Sequence, residues 1–342
     1  MKTLRWGILG TGSIAHRFAQ ALLVSTSGRL VAVGSRTQLK AVEFAEKYSA
    51  VTAHGSYPEL LADPGVDAVY ISTPHPHHAG WSIQAARAGK HILCEKPATM
   101  NAREAAEVIA EVKKHGVFFM EAFMYRCHPQ TTRLVELIRE GRVGEVIQIE
   151  ADFSFQTAYD PASLLFAREL GGGAILDVGC YCMSMIRLLA GAAVNEPFAN
   201  PTRILALGKI DPGEQIDLFS SAMLEFPSGI VGNLTTGLIV RKNNQVKVYG
   251  SQGILTVTSP WFAGEVGASL IFEKPGSPER EEISTEDAAD LYGYEIDLVA
   301  RYCEVGEAPA MTLADTMGNM TALDNWREQL GVEYPADRDG RD

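Results

Sequence analysis

Positive charge is scarce in this chain: 30 Lys and Arg face 42 Asp and Glu, a formal net charge of −12 over 342 residues. Phosphate backbones are held by clustered basic side chains, so this balance argues against a nucleic-acid partner. Long apolar runs are missing too. None approaches the roughly 18 residues that a membrane span requires. The apolar stretch after Lys2 and Arg5 is broken at once by Gly7, Gly10 and Gly12, which speaks against a signal peptide and a membrane partner. Cysteines are few. Cys94, Cys127, Cys180, Cys182 and Cys303 are odd in number and never spaced C-x-x-C, the usage of a reduced, cytoplasmic protein. Cys180 and Cys182, the one close pair, fall in an apolar helical pattern and read as buried thiols. Low-complexity tracts and short-period repeats are absent. What is present, 46% hydrophobic and 21% charged residues, suffices for a large core, and the length suggests about two domains.

Residues 1–123 repeat one unit, a short apolar run, a turn and an amphipathic stretch. Strands are expected at 5–9, 30–34, 66–72, 91–94 and 117–123. Helices are expected from Ile14, at 38–48, at 78–88 closed by Gly89, and at 101–115 with Asn101 and Glu104 in a capping-box arrangement. Such alternation predicts an α/β fold, a parallel, doubly wound sheet of the Rossmann type. Past Pro129 the pattern changes. A helix at 130–140 precedes an alternating run in which Ile147, Ile149, Ala151, Phe153 and Phe155 share one face. Six more strands are expected at 203–210, 218–226, 229–238, 245–249, 253–258 and 268–273. Helices are expected at 173–190, 288–305 and 313–329, with a frayed tail at 337–342. Residues 124–342 thus read as an α+β domain on a large, mostly antiparallel open sheet.

Gly10-Thr11-Gly12-Ser13-Ile14-Ala15 is a G-x-G-x-x-A sequence between a strand and a helix. The first glycine makes the tight turn and the second admits a pyrophosphate. The small third residue lets the helix pack closely, its N-terminal amides facing the phosphates. An NAD site would place an acid about 20 residues on, at the end of the second strand. Here that end reads Ser35-Arg36-Thr37, with Lys40 following and no acid before Glu43. Two hydroxyls, a guanidinium and an ammonium suit a 2′-phosphate, so the expected cofactor is NADP, with NAD as the alternative.

Together with Thr73-Pro74-x-x-x-His78, Glu95-Lys96-Pro97, 121–126 (EAFMYR) and 171–181 (GGGAILDVGCY), this turn resembles the glucose-fructose oxidoreductase, inositol dehydrogenase and rhizopine-catabolism family, Gfo/Idh/MocA. The resemblance runs from residue 7 to about 190, and the strand-rich remainder suits the family's second domain. It implies that Thr73, Pro74, His78, Glu95, Lys96 and Pro97 lie at the cofactor, with a cis bond before Pro97. It also implies that Lys96 sits beside the nicotinamide and the substrate hydroxyl. A lysine at the C-terminal end of a parallel strand points where such sheets bind ligands, and its ammonium can stabilise an alkoxide. Many members have Asp-x-x-x-His at the helix opening. Here the pair is Asp177 and Tyr181, at i and i+4 on one face, as in the subgroup resembling dimeric dihydrodiol dehydrogenases and xylose dehydrogenases. A phenol near pKa 10 is a poor base unless a cation is close, and Lys96 is the candidate cation. Proton transfer therefore falls to Tyr181, charge stabilisation to Lys96 and substrate hydroxyl binding to Asp177.

Arg126, His128 and Arg168 are further candidates for holding substrate hydroxyls. The run Pro74-His75-Pro76-His77-His78 offers imidazoles but no nearby Cys or carboxylate to complete a metal site, so none is expected. The reading that results is a cytoplasmic, NADP-dependent oxidoreductase acting on a small polyol, sugar or trans-dihydrodiol. Two alternatives stand beside it. A sugar-nucleotide ketoreductase would need more Arg and Lys around 150–170. A non-catalytic cofactor sensor would be expected to lack Lys96, Asp177 or Tyr181. By analogy with the family, the polar sheet face suggests a homodimer or homotetramer.

Overall fold

The computed structural model describes residues 3–263, 269–285 and 290–338. It divides into two compact units, 1–127 with 289–317, and 128–288 with 318–342. The two consecutive domains expected from the sequence, 1–123 and 124–342, are thus interleaved, because a late helix returns to the first unit.

In the first unit β1 (Leu4–Leu9), α1 (Ser13–Val24), β2 (Gly28–Gly34), α2 (Gln38–Tyr48), β3 (Thr52–His54), α3 (Tyr57–Ala62) and β4 (Ala68–Ile71) follow one another. Then come α4 (His78–Arg87), β5 (His91–Glu95), α5 (Ala102–His115), β6 (Phe119–Ala122) and α6 (Met124–Cys127). The six strands are all parallel, in the order β3-β2-β1-β4-β5-β6, so the order reverses between β1 and β4. Ligands bind outside the carboxyl ends of such strands, at that switch point. The central strands are largely apolar because helices cover both faces: Ile8, Leu9, Val33, Val69 and Ile71 are fully buried. Two elements escaped the sequence reading. β3 has three half-buried residues and no apolar run. α3 is six residues long and is started by Ser56, whose hydroxyl accepts the Glu59 N–H, with Pro58 in its first turn. In α5, Asn101 accepts the Glu104 N–H at 3.0 Å, while the Glu104 carboxylate accepts the N–H of Met100.

The second unit runs through α7 (Pro129–Arg139), β7 (Val146–Ser154), α8 (Cys180–Ala192), β8 (Arg203–Ile210), β9 (Asp217–Glu225), β10 (Val231–Gly237) and β11 (Val246–Gly250). β12 (Ile254–Val257), β13 (Ser269–Glu273) and β14 (Arg280–Ser284) follow. α9 (Leu291–Tyr302) belongs to the first unit, and α10 (Leu313–Leu330) starts there and ends in the second. The eight strands order as β14-β13-β12-β11-β7-β10-β9-β8, antiparallel except for β7 with β10. α8 packs on β7 and β10. Ile147 corrects the alternation read from the sequence: the pairing with β11 shifts register beside it, and it turns outward, 57% exposed. β14 was missed because Arg280, Glu281 and Glu282 make it read as loop, although charge is how edge strands avoid further pairing. The stretch Arg168–Ala192 is long and apolar enough by composition to span a membrane, but 89% of the apolar 18-residue window within it is buried in the fold, as a core helix would be. The starts expected at Ala268 and Ala288 lie outside the described residues, as do 339–342. Asp337 and Arg338 are ordered by a short 3-10 turn, and Asp337 pairs with Arg327.

Candidate functional site

Four loops leave the carboxyl ends of β1, β2, β4 and β5, and each carries residues singled out above. After β1, Gly10 has φ +107°, and a Cβ there would stand about 3 Å from Ser72, so only glycine fits the turn. Gly12 precedes α1 with open space where a side chain would be. No side chain caps α1 and no acid lies in its first turn, so the amides at Ser13 and Ile14 present their partial positive charge outward. After β2, Ser35 is buried while Arg36, Thr37 and Lys40 are exposed. The Thr37 hydroxyl accepts the Lys40 N–H as the cap of α2. Arg36 and Lys40 form no ion pair, whereas many exposed cations elsewhere, such as Arg87, Arg103 and Arg133, do. After β4, the Thr73 hydroxyl is buried without a hydrogen-bond partner. Uncapped amides, two uncompensated cations and an orphaned hydroxyl make a cradle that fits a dinucleotide with a 2′-phosphate.

After β5, Lys96 is half-buried and the Lys96–Pro97 bond is cis. The backbone on either side is tied down. Glu95 accepts the Lys96 N–H at 3.2 Å and also accepts the Tyr70 hydroxyl. Glu121, fully buried on β6, accepts the Ala98 N–H at 2.8 Å. His78 places one ring nitrogen 2.8 Å from the Pro97 carbonyl and the other 2.7 Å from the Thr73 carbonyl, clipping the loops after β4 and β5 together. Burial pulls the His78 pKa down to about 4 against those two carbonyls, which favour the protonated ring. Two sequence assignments change here. With both ring nitrogens facing backbone carbonyls and no exposed surface, His78 acts on the loops that would meet a cofactor. Glu95, 8% exposed, likewise serves Tyr70 and the lysine backbone. Glu295 on α9 is wholly buried with neither carboxyl oxygen hydrogen-bonded, and burial, then the charge of Glu95, push its pKa well up.

In the second unit, α8 is preceded by a π-helical turn, Ile175–Gly179, in place of the regular helix opening expected from the sequence. Such turns occur mostly as single insertions, frequently at functional sites. Asp177 lies in the turn, half-buried, and Tyr181 in the first turn of α8, 6% exposed. The Tyr181 ring meets Phe153 edge-on at 5.2 Å and Trp261 at 5.9 Å, and those two stack on each other. Tyr181 thus stands in an aromatic pocket fed by β7 and the loop after β12.

The remaining candidates have structural partners. Arg126 is buried and ion-paired with Asp315, its Nε donating to the Ala310 carbonyl at 3.0 Å. His128, fully buried, caps α7, its Nδ1 accepting the Gln130 N–H. Arg168 donates from Nε and Nη2 to the Glu333 carbonyl at 2.9 and 2.6 Å. These contacts give all three a structural role beside the substrate-holding one expected of them. No three His, Cys, Asp or Glu side chains gather as a metal site among the described residues. All five cysteines are thiols, and burial raises those of Cys94, Cys127 and Cys182. The sequence reading missed Glu121 and Asp217, buried acids on strands that hold the loop of Lys96 and the turn of Asp177. Their signal was an acid inside an apolar run.

Comparison with known proteins follows the same division. Residues 4–123 match the GFO/IDH/MocA oxidoreductase family, NAD-binding Rossmann fold, and residues 131–256 match the GFO/IDH/MocA C-terminal domain. Trans-1,2-dihydrobenzene-1,2-diol dehydrogenase of Sus scrofa is 33% identical, covering 98% of this chain and 99% of its own. D-xylose 1-dehydrogenase (NADP(+)) 2 of Haloferax volcanii is 32% identical, covering 94% and 95%. Among solved structures, the 3-ketoreductase KijD10 from Actinomadura kijaniata, in complex with NADP and TDP-benzene, superimposes with a TM-score of 0.85 at 27% identity, covering 96% and 98%.

Proposed function

The chain belongs to the Gfo/Idh/MocA oxidoreductase family, and from that premise we propose that it uses NADP and interconverts a secondary alcohol with its carbonyl form in a small polyol, an aldose or a trans-dihydrodiol. The amides of the Gly10–Gly12 turn, Ser13 and Ile14 would hold the pyrophosphate, and Ser35, Arg36, Thr37 and Lys40 the 2′-phosphate. Thr73 and Lys96 would lie toward the nicotinamide. NADP, when bound, supplies the hydride acceptor or donor. Tyr181 takes the hydroxyl proton as the alcohol is oxidised and returns it in the reverse direction. Lys96 stabilises the alkoxide, and Asp177 accepts a hydrogen bond from a neighbouring hydroxyl.

The observation that carries this reading is Lys96, a half-buried ammonium at the end of β5 whose backbone is fastened by Glu95, Glu121 and His78. Fixing a charge before reaction is what makes such stabilisation effective. Phe153 and Trp261, 6% and 1% exposed, pack against the Tyr181 ring and hold it in place. A diphosphate substrate would need cations. Between 150 and 170 the chain offers only Arg168, which is bound to the Glu333 carbonyl. A panel of aldoses, inositols, dihydrodiols and sugar nucleotides, followed at the reduced-nicotinamide absorbance band, tests the assignment. Turnover of a neutral diol or aldose with NADP is expected, and turnover of a sugar nucleotide alone would replace it with the ketoreductase reading.

The protein is further inferred to be a cytoplasmic homodimer or homotetramer joined through the open face of the eight-stranded sheet. Leu205, Leu207 and Met223 stand 49%, 83% and 54% exposed there. Sedimentation of Leu207→Glu against wild type checks the interface: an unchanged oligomer would place it elsewhere. Recovery outside the cytoplasmic fraction would contradict the compartment.

A further inference from the structure

The π turn that carries Asp177 begins without a cap of its own: no side chain follows Ala174 to accept its first amides. A partner comes from 42 residues away. Asp217, the first residue of β9 and fully buried, accepts the Ile175 N–H through Oδ2 at 2.8 Å. The approach is close by construction. Gly173 has φ +121°, and a Cβ there would stand 2.6 Å from Asp217 Oδ1 and 2.9 Å from the Tyr334 hydroxyl. Tyr334 in turn donates to the Gly172 carbonyl, and Thr236 donates to the Ala174 carbonyl at 3.1 Å. Among the described residues Asp217 Oδ1 has no hydrogen-bond partner of good geometry, although the backbone amides of Asp217 and Ala174 also favour the charge of its carboxyl. A buried carboxyl with one oxygen on a helix-opening amide and the other unpaired is costly to keep unless it has a task.

We propose that Asp217 is a positioning residue: its carboxylate fastens the start of the Ile175–Gly179 turn and thereby fixes where Asp177 and Tyr181 stand for the reaction. A carboxylate suits this place because the first amides of a helix carry partial positive charge, and an ionised acceptor makes the stronger bond. The charged groups around it are few. Arg327 on α10 is the nearest cation and is already paired with Asp324 and Asp337. Tyr334 lies beside it, and Arg168, bound to the Glu333 carbonyl, acts on Tyr334. Burial dominates over the Ile175 amide and Arg327, and raises Asp217 to about 7. The Ile175 amide favours the ionised form, so this one bond strengthens as pH rises through neutrality, although burying the charge costs the fold as a whole.

The kinetic part of this inference rests on the roles proposed for Asp177 and Tyr181, and the structural part does not. Asp217→Asn, isosteric and uncharged, separates them. Hydrogen–deuterium exchange of the 173–181 segment is followed at pH 6 and 8, corrected for intrinsic exchange, with turnover measured in parallel. Wild type is expected to gain protection in this segment between the two pH values, and kcat to rise over the same range. In Asp217→Asn the protection falls about tenfold, the loss of one charged hydrogen bond. The pH step disappears, and kcat drops about tenfold with KM for NADP within about twofold. Wild-type protection in the variant, or a loss spread evenly over the whole chain, would overturn the proposal. If no substrate is ever turned over, the function proposed above fails while the exchange result still decides the role of Asp217.

Discussion

Lys96 in the first unit and Tyr181 in the second are both held through backbone fixed by buried acids, yet the two units reach that state differently. Around Lys96 every tether comes from the neighbouring strands and loops of one parallel sheet: Glu95, Glu121 and His78 all belong to residues 78–121. Around Tyr181 the supports are scattered, with Phe153 on β7, Asp217 on β9, Trp261 after β12 and Tyr334 near the end of the chain. The environments differ as well. The first unit presents uncapped amides and uncompensated cations, while the second surrounds its phenol with aromatic rings.

The largest test of that contrast is Tyr181→Phe. General acid–base transfer is worth roughly 10²- to 10⁴-fold, so kcat should fall by two orders or more while NADPH, followed by fluorescence quenching, binds within about twofold of wild type. Near-normal turnover would remove Tyr181 from the chemistry. Lys96→Met should cost about 10²- to 10³-fold, the usual scale for one charge-stabilising donor. If both act on one reacting carbon, the double variant loses little more than the worse single one. Strict multiplication of the two losses would mean that they serve separate steps. A smaller effect, about 10- to 100-fold, is expected from Arg36→Ala with Lys40→Ala, confined to kcat/KM for NADP. An equal loss with NAD would show that these cations do not read the 2′-phosphate.

The same contrast explains how much could be read from the sequence. Gly10, Gly12, Lys96 and Pro97 are legible because the turns they make depend on one or two residues, and a local pattern of glycine or proline records that dependence. The strand and helix periods of both units were visible for the same local reason. The protein partners of Arg126, His128 and Arg168 could not be read, because a polar residue beside a motif looks the same whether it faces a ligand or a partner. Only the fold brings Asp315, the Gln130 amide and the Glu333 carbonyl to them. Asp217 and Glu121 were missed for the converse reason: each is an acid in an apolar run, but the amide it serves lies in another element, so the run does not say what the acid does. The return of α9 to the first unit likewise depends on packing against α1 and α6, which no linker composition announces.

The smallest effect sets the two units against each other directly. His78 holds a folded pKa of about 4 against an ordinary 6.5, so the unfolded chain takes up that proton first as pH falls. The stability it contributes is full above 6.5 and lost as pH drops through 4. Asp217 has the opposite sign. Its folded pKa of about 7 exceeds the ordinary 3.8, so its contribution is full below 3.8 and lost as pH rises through 7. Between those limits the two slopes oppose, and each variant should expose the other. Asp217→Asn should raise Tm relative to wild type at pH 8 by a few degrees, with a smaller gain at pH 5 and little at pH 4. His78→Gln, which keeps a donor but does not titrate in this range, should flatten the loss of Tm between pH 6.5 and 4.5. If either variant shifts Tm equally at both ends of its range, burial of that group is not what links its unit to pH, and the charge of Asp217 would have to be relieved by water at Oδ1.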